Sequence, residues 1–180
     1  MNTFIAFLRG INVSGQKKIK MADLRSCLEH SGLENLRTYI QSGNLVFDTQ
    51  EKDSSVIGTK IFEVIKTNFG YEVPILVVEP STLQQVLDNN PFSSIAEQKN
   101  QYFTLLFDIP IVEMKESFQQ MTFDHEDFHY SDKCIYLNCK LGAGKAKLNN
   151  NLIENKLKIR ATTRNLNTMQ KMVQLANGQS

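Results

Sequence analysis

The stretch FIAFLRGINVSGQKKIK, residues 4–20, decides the fold of the first half of the chain. Its first five residues, 4–8, are apolar at every position, which is typical of a strand that is buried on both faces. A basic loop with two glycines follows, and apolar residues then recur at helical spacing from Met21 to Ser31. The stretch therefore predicts a strand, a loop and a helix, in that order.

The pattern continues outward from this stretch as a ferredoxin-like unit. Two short runs flank Ser42-Gly43-Asn44 and predict a hairpin, a helical segment follows, and a further apolar run closes the first half. This βαββαβ order places an antiparallel sheet under two helices. The predicted elements are strand 4–8, helix 21–31, strands 36–40 and 45–48, helix 54–68 and strand 72–78.

The same order of elements recurs in the second half, which suggests an internal duplication of topology. A short helix that ends at Asn89-Asn90-Pro91 connects the halves. The predicted elements after it are strand 102–107, helix 112–121, strands 127–130 and 134–138, helix 146–157, strand 158–161 and a last helix, 165–176.

We therefore predict an α+β fold of two ferredoxin-like βαββαβ halves packed into one composite domain, plus a C-terminal helix. The reason is the first strand: helices cover one face of such a sheet, so the second half or the last helix has to cover the other. The predicted segments are a first half (1–79), a helical connector (80–100), a second half (101–162) and a C-terminal helix packing on the composite core (163–180).

Length and composition agree with an ordered globular chain. The chain has 180 residues, of which 41% are hydrophobic and 22% charged, values typical of compact soluble proteins. The apolar run at residues 4–8 is too short for the core of a signal peptide or for a membrane span. We expect a cytoplasmic protein that does not enter a membrane.

Three cysteines, Cys27, Cys134 and Cys139, form neither an even set nor a Cys-x-x-Cys pair. They are expected to be reduced thiols without a metal. The segment His125-Glu126-Asp127-Phe128-His129 would place both imidazoles on one face of a helix, but it runs into a predicted strand. The sequence favours an acidic, solvated turn there, and no metal site is predicted.

Charge is distributed unevenly along the chain. Residues 1–47 carry a net charge of +3, residues 48–132 carry −10 and residues 133–180 carry +8. Such segregation indicates either a basic patch that meets anions or neutralisation of the acidic middle by the two termini. Both interpretations stay open.

The basic loop at residues 9–20 differs from a nucleotide-binding phosphate loop. Gln16 separates Gly15 from the lysines, and Lys18 stands where a hydroxyl residue would hold magnesium. A glycine-bearing loop that leads into a helix can still present backbone amides and the helix dipole to an anion. The sequence favours a structural loop with solvated lysines over an anion site, and both remain open.

Topology pairs this loop with the hairpin turn at residues 41–44, because both lie at one end of a βαββαβ unit. In the second half, a similar loop at residues 142–147 shares an end with residues 162–165, although Thr163 and Asn165 also suit a helix cap. We predict that these loops form one cleft for an anion. The candidate ligand-binding residues are Arg9, Asn12, Lys17, Lys18, Gln41, Ser42, Asn44, Lys145, Lys147, Thr163, Arg164 and Asn165.

Three stretches resemble one family. They are Arg9–Lys20, Thr38–Asn44 and Thr163–Thr168, and together they are similar to the bacterial domain of unknown function 1697 family (DUF1697). The resemblance covers essentially the whole chain and implies that these loops are a shared face. The chain departs from the family at Leu166, where tryptophan is typical, and at Ala146, where serine is frequent.

The sequence specifies neither a reaction nor a cofactor. No combination of serine or cysteine with histidine specifies a nucleophile, so a catalytic role stays open. We expect an anionic small molecule, phosphorylated or carboxylated, as the partner. The alternatives are a weak nucleic-acid-binding module, which the apolar strands disfavour, and a ligand-free protein-interaction scaffold. The oligomeric state is not predicted.

Overall fold

The structure is a computed structural model, and it describes residues 1–94 and 98–178. Residues 95–97 of the predicted connector and residues 179–180 of the predicted C-terminal segment lie outside the described residues. The chain forms two compact units: the first is Met1–Gln84 with the chain from Gln170 onward, and the second is Gln85–Met169.

The first unit has the predicted βαββαβ order. Its sheet is antiparallel, with the strand order β2-β3-β1-β4. The elements are β1 (Asn2–Leu8), α1 (Met21–His30), β2 (Glu34–Tyr39), β3 (Asn44–Thr49), α2 (Ser54–Phe69) and β4 (Ile75–Val78).

Helix α2 shows why this sequence forms these elements. Ile57, Ile61 and Ile65 recur every four residues, so one stripe of the helix is apolar, and all three are buried in the core under β1 and β3. The Asp53 carboxylate accepts a hydrogen bond from the Ser55 amide at the start of the helix. Gly70, in the left-handed conformation at a φ of 72°, ends it.

Both faces of the first sheet are buried, as the apolar run at residues 4–8 predicts. Phe4, Ala6 and Leu8 belong to the core that contains the helices, while Ile5 and Phe7 on the opposite face are 0% exposed. The end of the last helix, α6 (Leu166–Ala176), contributes to this unit through the Leu175 carbonyl, which accepts a hydrogen bond from Arg37 in β2. Packing of the two halves into one composite domain stays a prediction.

The second unit repeats the topology. Its antiparallel sheet has the order β6-β7-β5-β8, equivalent position by position to that of the first unit. Helix α3 (Pro80–Asp88) and a short 3-10 helix at Gln98–Asn100 precede it. Its elements are β5 (Gln101–Leu106), α4 (Val112–Gln119), β6 (Glu126–Tyr130), β7 (Cys134–Cys139), α5 (Asn150–Leu157) and β8 (Ala161–Asn165).

Two predicted boundaries in the second unit are wrong. The last strand does not occupy residues 158–161, because Lys158 caps α5 in the left-handed conformation, at a φ of 57°, and the strand begins only at Ala161. The preceding helix begins at Asn150 rather than residue 146, because Asn149 caps it by accepting the Leu152 amide. Smaller differences occur at two other elements. The strand predicted at 72–78 is β4, which begins only at Ile75, and the helix predicted at 112–121 is α4, which ends at Gln119.

Among the residues that the structure describes, no helix combines the length and the apolar character that crossing a bilayer requires.

Candidate functional site

The loop at residues 9–20 of the first unit is braced by one side chain, that of Asn12. Its amide nitrogen donates to the carbonyls of Ile19, at 2.9 Å, and Gln41, at 2.8 Å. Its amide oxygen accepts from the Ile19 backbone N–H at 2.9 Å. Asn12 therefore closes the loop on itself and fastens it to the hairpin turn between β2 and β3, so the two loops share one end of the unit as predicted.

The same two loops concentrate unusual backbone conformations. Asn12, Ser14 and Lys17 in the first loop and Ile40 in the turn adopt positive φ values between 42° and 54° without being glycine. Each such residue costs on the order of 1–3 kcal/mol and persists only where its surroundings over-determine it. Strain of this kind clusters at binding sites and switch regions.

Gly43 brings the hairpin turn against the base of the loop. Its carbonyl accepts the Leu8 backbone N–H at 2.8 Å, and a Cβ at this position would lie 2.6 Å from the Leu8 Cβ. Asn44 is fully buried and donates to the Tyr39 carbonyl and the Ser42 hydroxyl, each at 2.9 Å. The predicted ligand residue Asn44 thus holds the turn together.

The loop at residues 9–20, which Asn12 braces, also contains four basic residues. Lys18 and Lys20 are exposed and Arg9 is half-buried. Lys17 donates to the Glu72 carbonyl at 2.6 Å, so its ammonium group supports the loop. Helix α1 begins after Lys20, and the Lys20 side chain does not cap it. The positive end of the helix dipole therefore adjoins the loop.

In the second unit, two backbone amides at the end of the basic loop already receive an anion from the chain itself. The buried Glu126 carboxylate accepts from the backbone N–H groups of Lys147, at 3.2 Å, and Leu148, at 3.4 Å. Lys145 and Lys147 are exposed beside this contact. At the end of the loop at 142–147, two consecutive amides, those of Lys147 and Leu148, are therefore directed at an internal carboxylate.

The prediction that Thr163, Arg164 and Asn165 lie in a loop after the last strand is wrong, because all three lie within β8. Thr163 contacts the hydroxyl of Thr104 at 2.8 Å and donates to Asn150 at 3.0 Å. Asn165 caps α6 by accepting the Thr168 amide at 2.9 Å. Both side chains therefore stabilise the fold of the second unit, Thr163 within β8 and Asn165 as a helix cap.

Arg164 is a buried strand residue with 9% of its surface exposed. It stands opposite Phe103 in the ladder, on the face of the second sheet that carries Thr162. Its guanidinium donates to the Thr162 hydroxyl and the Thr163 carbonyl, each at 2.9 Å. Burial lowers the pKa of Arg164 to about 10, so the group is still charged at neutral pH.

The structure thus brings together Arg9, Asn12, Lys17, Lys18, Gln41, Ser42 and Asn44 within the first unit, and places Lys145, Lys147, Thr163, Arg164 and Asn165 in the second. Whether the two sets share a cleft stays a prediction. Sequence reasoning missed Glu126, whose partners lie 21 and 22 residues away along the chain. No local signal in the sequence points to that contact.

Metal ligation has no support in the described ranges. In residues 1–94 and 98–178, no three His, Cys, Asp or Glu side chains are grouped to hold an ion. His129 lies within β6, so it does not share a helical face with His125.

The fold and loops define a class of α+β protein with two ferredoxin-like halves and basic loops at the strand ends. The chain belongs to the family of proteins of unknown function DUF1697, whose model matches residues 1–136. A conserved bacterial protein from Streptococcus pneumoniae, SP0830, has a similar structure, with a TM-score of 0.74 and 19% identity over 97% of this chain and 98% of that one. At this identity the likeness shows the fold. No curated protein matches the chain significantly.

Proposed function

We propose that the chain binds an anionic small molecule, phosphorylated or carboxylated, at the braced basic loop of the first unit. The observation that carries the proposal is the Asn12 brace, which holds a strained loop against the hairpin turn. Arg9, Lys18 and Lys20 are basic residues of this loop. A preorganised loop binds without the cost of ordering itself. Arginine suits a planar carboxylate or phosphate, and lysine adds a point charge.

The first unit is preferred to the second because of what each loop already contacts. Glu126 accepts from the Lys147 and Leu148 amides at the end of the second loop and would repel an external anion there. In the first loop, the Asn12 side chain is directed at the backbone of Ile19 and Gln41, and the exposed Lys18 and Lys20 lie outside this brace. The proposal includes a cytoplasmic location, where phosphorylated and carboxylated metabolites are abundant.

A thermal-shift titration with inorganic phosphate, pyrophosphate, sugar phosphates, nucleotides and dicarboxylates tests the proposal, since a ligand of the folded state raises the melting temperature. We expect Arg9→Ala and Lys18→Ala to remain folded and to lose the shift. Asn12→Gly, which keeps the left-handed backbone but removes the brace, should weaken it. Lys147→Ala, which removes one exposed lysine of the second loop, is the matched control and should keep it.

Two results would contradict the proposal: no shift with any of these anions, or a shift that disappears in Lys147→Ala and survives in Arg9→Ala. The competing function is weak nucleic-acid binding, favoured by the net charge of +8 on residues 133–180. A salt series separates the two, because binding through many phosphates weakens steeply with salt whereas a pocket ligand depends on one or two contacts.

A further inference from the structure

The second unit contains a groove beside the edge strand β6. In the sheet order β6-β7-β5-β8, one side of β6 pairs with β7, and no strand among the described residues pairs with its other side. A cavity of about 420 Å³ runs along it, lined by all five residues of the strand, Glu126 to Tyr130, and by Gln119 and residues 121–123 after α4. All residues that line the cavity belong to this unit.

Hydrogen-bond alternation fixes which backbone groups of β6 face the groove. The ladder is continuous from Glu126 opposite Cys139 to Tyr130 opposite Ile135. Lys140 donates to the His125 carbonyl at one end, and Ser131 donates to the Cys134 carbonyl at the other. Odd-numbered residues therefore exchange hydrogen bonds with β7, so the N–H and C=O groups of Phe128 and its even-numbered neighbours point outward.

The wall opposite β6 combines apolar and polar side chains, and its surroundings carry a net negative charge. Met121 and Phe123 line it, and Phe123 packs edge-on against Phe128 with ring centroids 6.1 Å apart. Residues 112–132, which include both walls, contain six acidic residues and one lysine. Asp127 and Asp132 form ion pairs with Lys140 and Lys115, and Glu126 is buried. The exposed negative charge is therefore that of Glu113, Glu116 and Asp124. The groove thus offers outward-facing strand groups, an apolar contact and negative charge.

We infer that this groove binds an extended peptide strand with alternating basic and apolar residues, which adds to the sheet beside β6. Backbone pairing with the outward groups of Phe128 supplies affinity, and side chains of the added strand supply specificity. The apolar residues contact Met121 and Phe123, and the basic residues meet the acidic surroundings. This inference is independent of the anion site in the first unit.

The test uses a fluorescein-labelled Lys-Val-Lys-Val-Lys-Val peptide and the full chain, with binding followed by fluorescence anisotropy. We expect the basic peptide to bind, a Glu-Val-Glu-Val-Glu-Val peptide not to bind, and a version N-methylated at alternate residues to lose affinity. Thr122→Lys, which adds a positive charge to the groove wall, should weaken binding about fivefold. Ser117→Lys adds the same charge on α4 away from the cavity lining and should weaken it less.

Amide hydrogen exchange gives a second readout. The outward amides of Phe128 and Tyr130 should exchange fast in the free chain and become protected by the peptide, whereas the amides of Asp127 and His129 are protected in both states. Equal binding of the N-methylated peptide, unchanged exchange at Phe128, or no binding would overturn the inference. Protection at Phe128 that rises with protein concentration without peptide would overturn it in favour of pairing between two copies of β6.

Discussion

The two units share the order of their strands but carry their basic glycine-bearing loops at different points of it. In the first unit the loop follows β1, the first strand. In the second it follows β7, the third strand, and β5 is followed instead by residues 107–111, which include Asp108 and the exposed Ile109 and Ile111. First and third strands are antiparallel, so the two loops lie at opposite ends of equivalent sheets. Topology is repeated between the units, and the loops are not.

The chemical surroundings of titratable groups also differ between the units. Asp48, Glu51 and Asp53 in the first unit all have a lowered pKa, because hydrogen bonds stabilise their carboxylates. In the second unit, burial raises the pKa of the thiols of Cys134 and Cys139. The carboxylates with a lowered pKa therefore lie in the first unit, and the thiols with a raised pKa lie in the second.

The largest expected difference between the units is the reactivity of their thiols. Cys27 in the first unit is half-buried, whereas Cys134 and Cys139 are buried. Burial raises the pKa of Cys139 to about 11, and that of Cys134 well above its ordinary value. With a disulfide reagent at pH 8, Cys27 should react at least about a thousandfold faster than the other two, because core residues react only after opening transitions that approach the stability of the fold.

Single substitutions assign the phases. Cys27→Ser should remove the fast phase, and Cys139→Ser should leave it intact. Labelling along a urea series then tests the composite domain. If Cys134 and Cys139 become reactive at a lower urea concentration than the loss of helical circular dichroism, the second unit opens independently and the prediction of one composite domain is wrong.

The next expected difference concerns two glycines with positive φ, one in each unit. Gly43 has a φ of 76°, where alanine costs about 1–2 kcal/mol. Gly142 has a φ of 80° and a ψ of 157°, a region essentially restricted to glycine, where alanine costs about 1–3 kcal/mol. At Gly43 the new Cβ would also lie 2.6 Å from the Leu8 Cβ and 2.9 Å from the Ile11 Cδ1, whereas at Gly142 it meets no atom within 4 Å. Overpacking adds about 1–3 kcal/mol.

Urea unfolding of Gly43→Ala and Gly142→Ala measures the contrast. We expect a loss of about 4 kcal/mol for the first, from backbone strain plus overpacking, and about 2 kcal/mol for the second, from backbone strain alone. Equal losses would mean that the turn at Gly43 relaxes away from Leu8, and the brace between the two loops of the first unit would be looser than the structure indicates.

The order of strands and helices could be predicted because it depends on local pattern. Apolar runs of period two and helical stripes such as Ile57, Ile61 and Ile65 identify the elements, and their repetition identifies both ferredoxin-like units. The position of β8 could not be predicted, because it depends on Lys158, a lysine that takes a left-handed cap position usually filled by glycine. Pattern alone consequently places Thr163 and Arg164 in a loop rather than in the strand.

The candidate site was predictable in its location and less so in the roles of its residues. The glycines and lysines of residues 9–20 mark a loop, and topology places it beside the hairpin turn. Asn12 and Asn44 look like ligand-binding amides from sequence, yet each satisfies backbone groups of the loops. Such partners are set by tertiary distance, as is the Glu126 contact in the second unit, and residue types alone do not reveal them.

The smallest expected effect is on the free energy of unfolding at low pH, which we expect to depend on Asp48 in the first unit. The Thr3 hydroxyl donates to the Asp48 carboxylate at 2.7 Å and is the main cause of its lowered pKa; Asn35, at 2.8 Å, and the charge of Arg37 add to it. Because the folded-state pKa lies below the unfolded value of 3.8, this contribution is present above about pH 4 and is lost as the pH falls through the folded pKa.

Asp48→Asn should lower the free energy of unfolding at pH 7 by only about 0.5 kcal/mol, since the group is partly exposed. It should also flatten the loss of stability between pH 5 and pH 2, as measured by urea unfolding at each pH. Thr3→Val, which removes the main donor and keeps the carboxylate, should reproduce part of the change. An acid limb that is unaltered in both variants would show that Asp48 does not set the acid response, and Glu51 and Asp53, the other carboxylates with a lowered pKa, would be tested next.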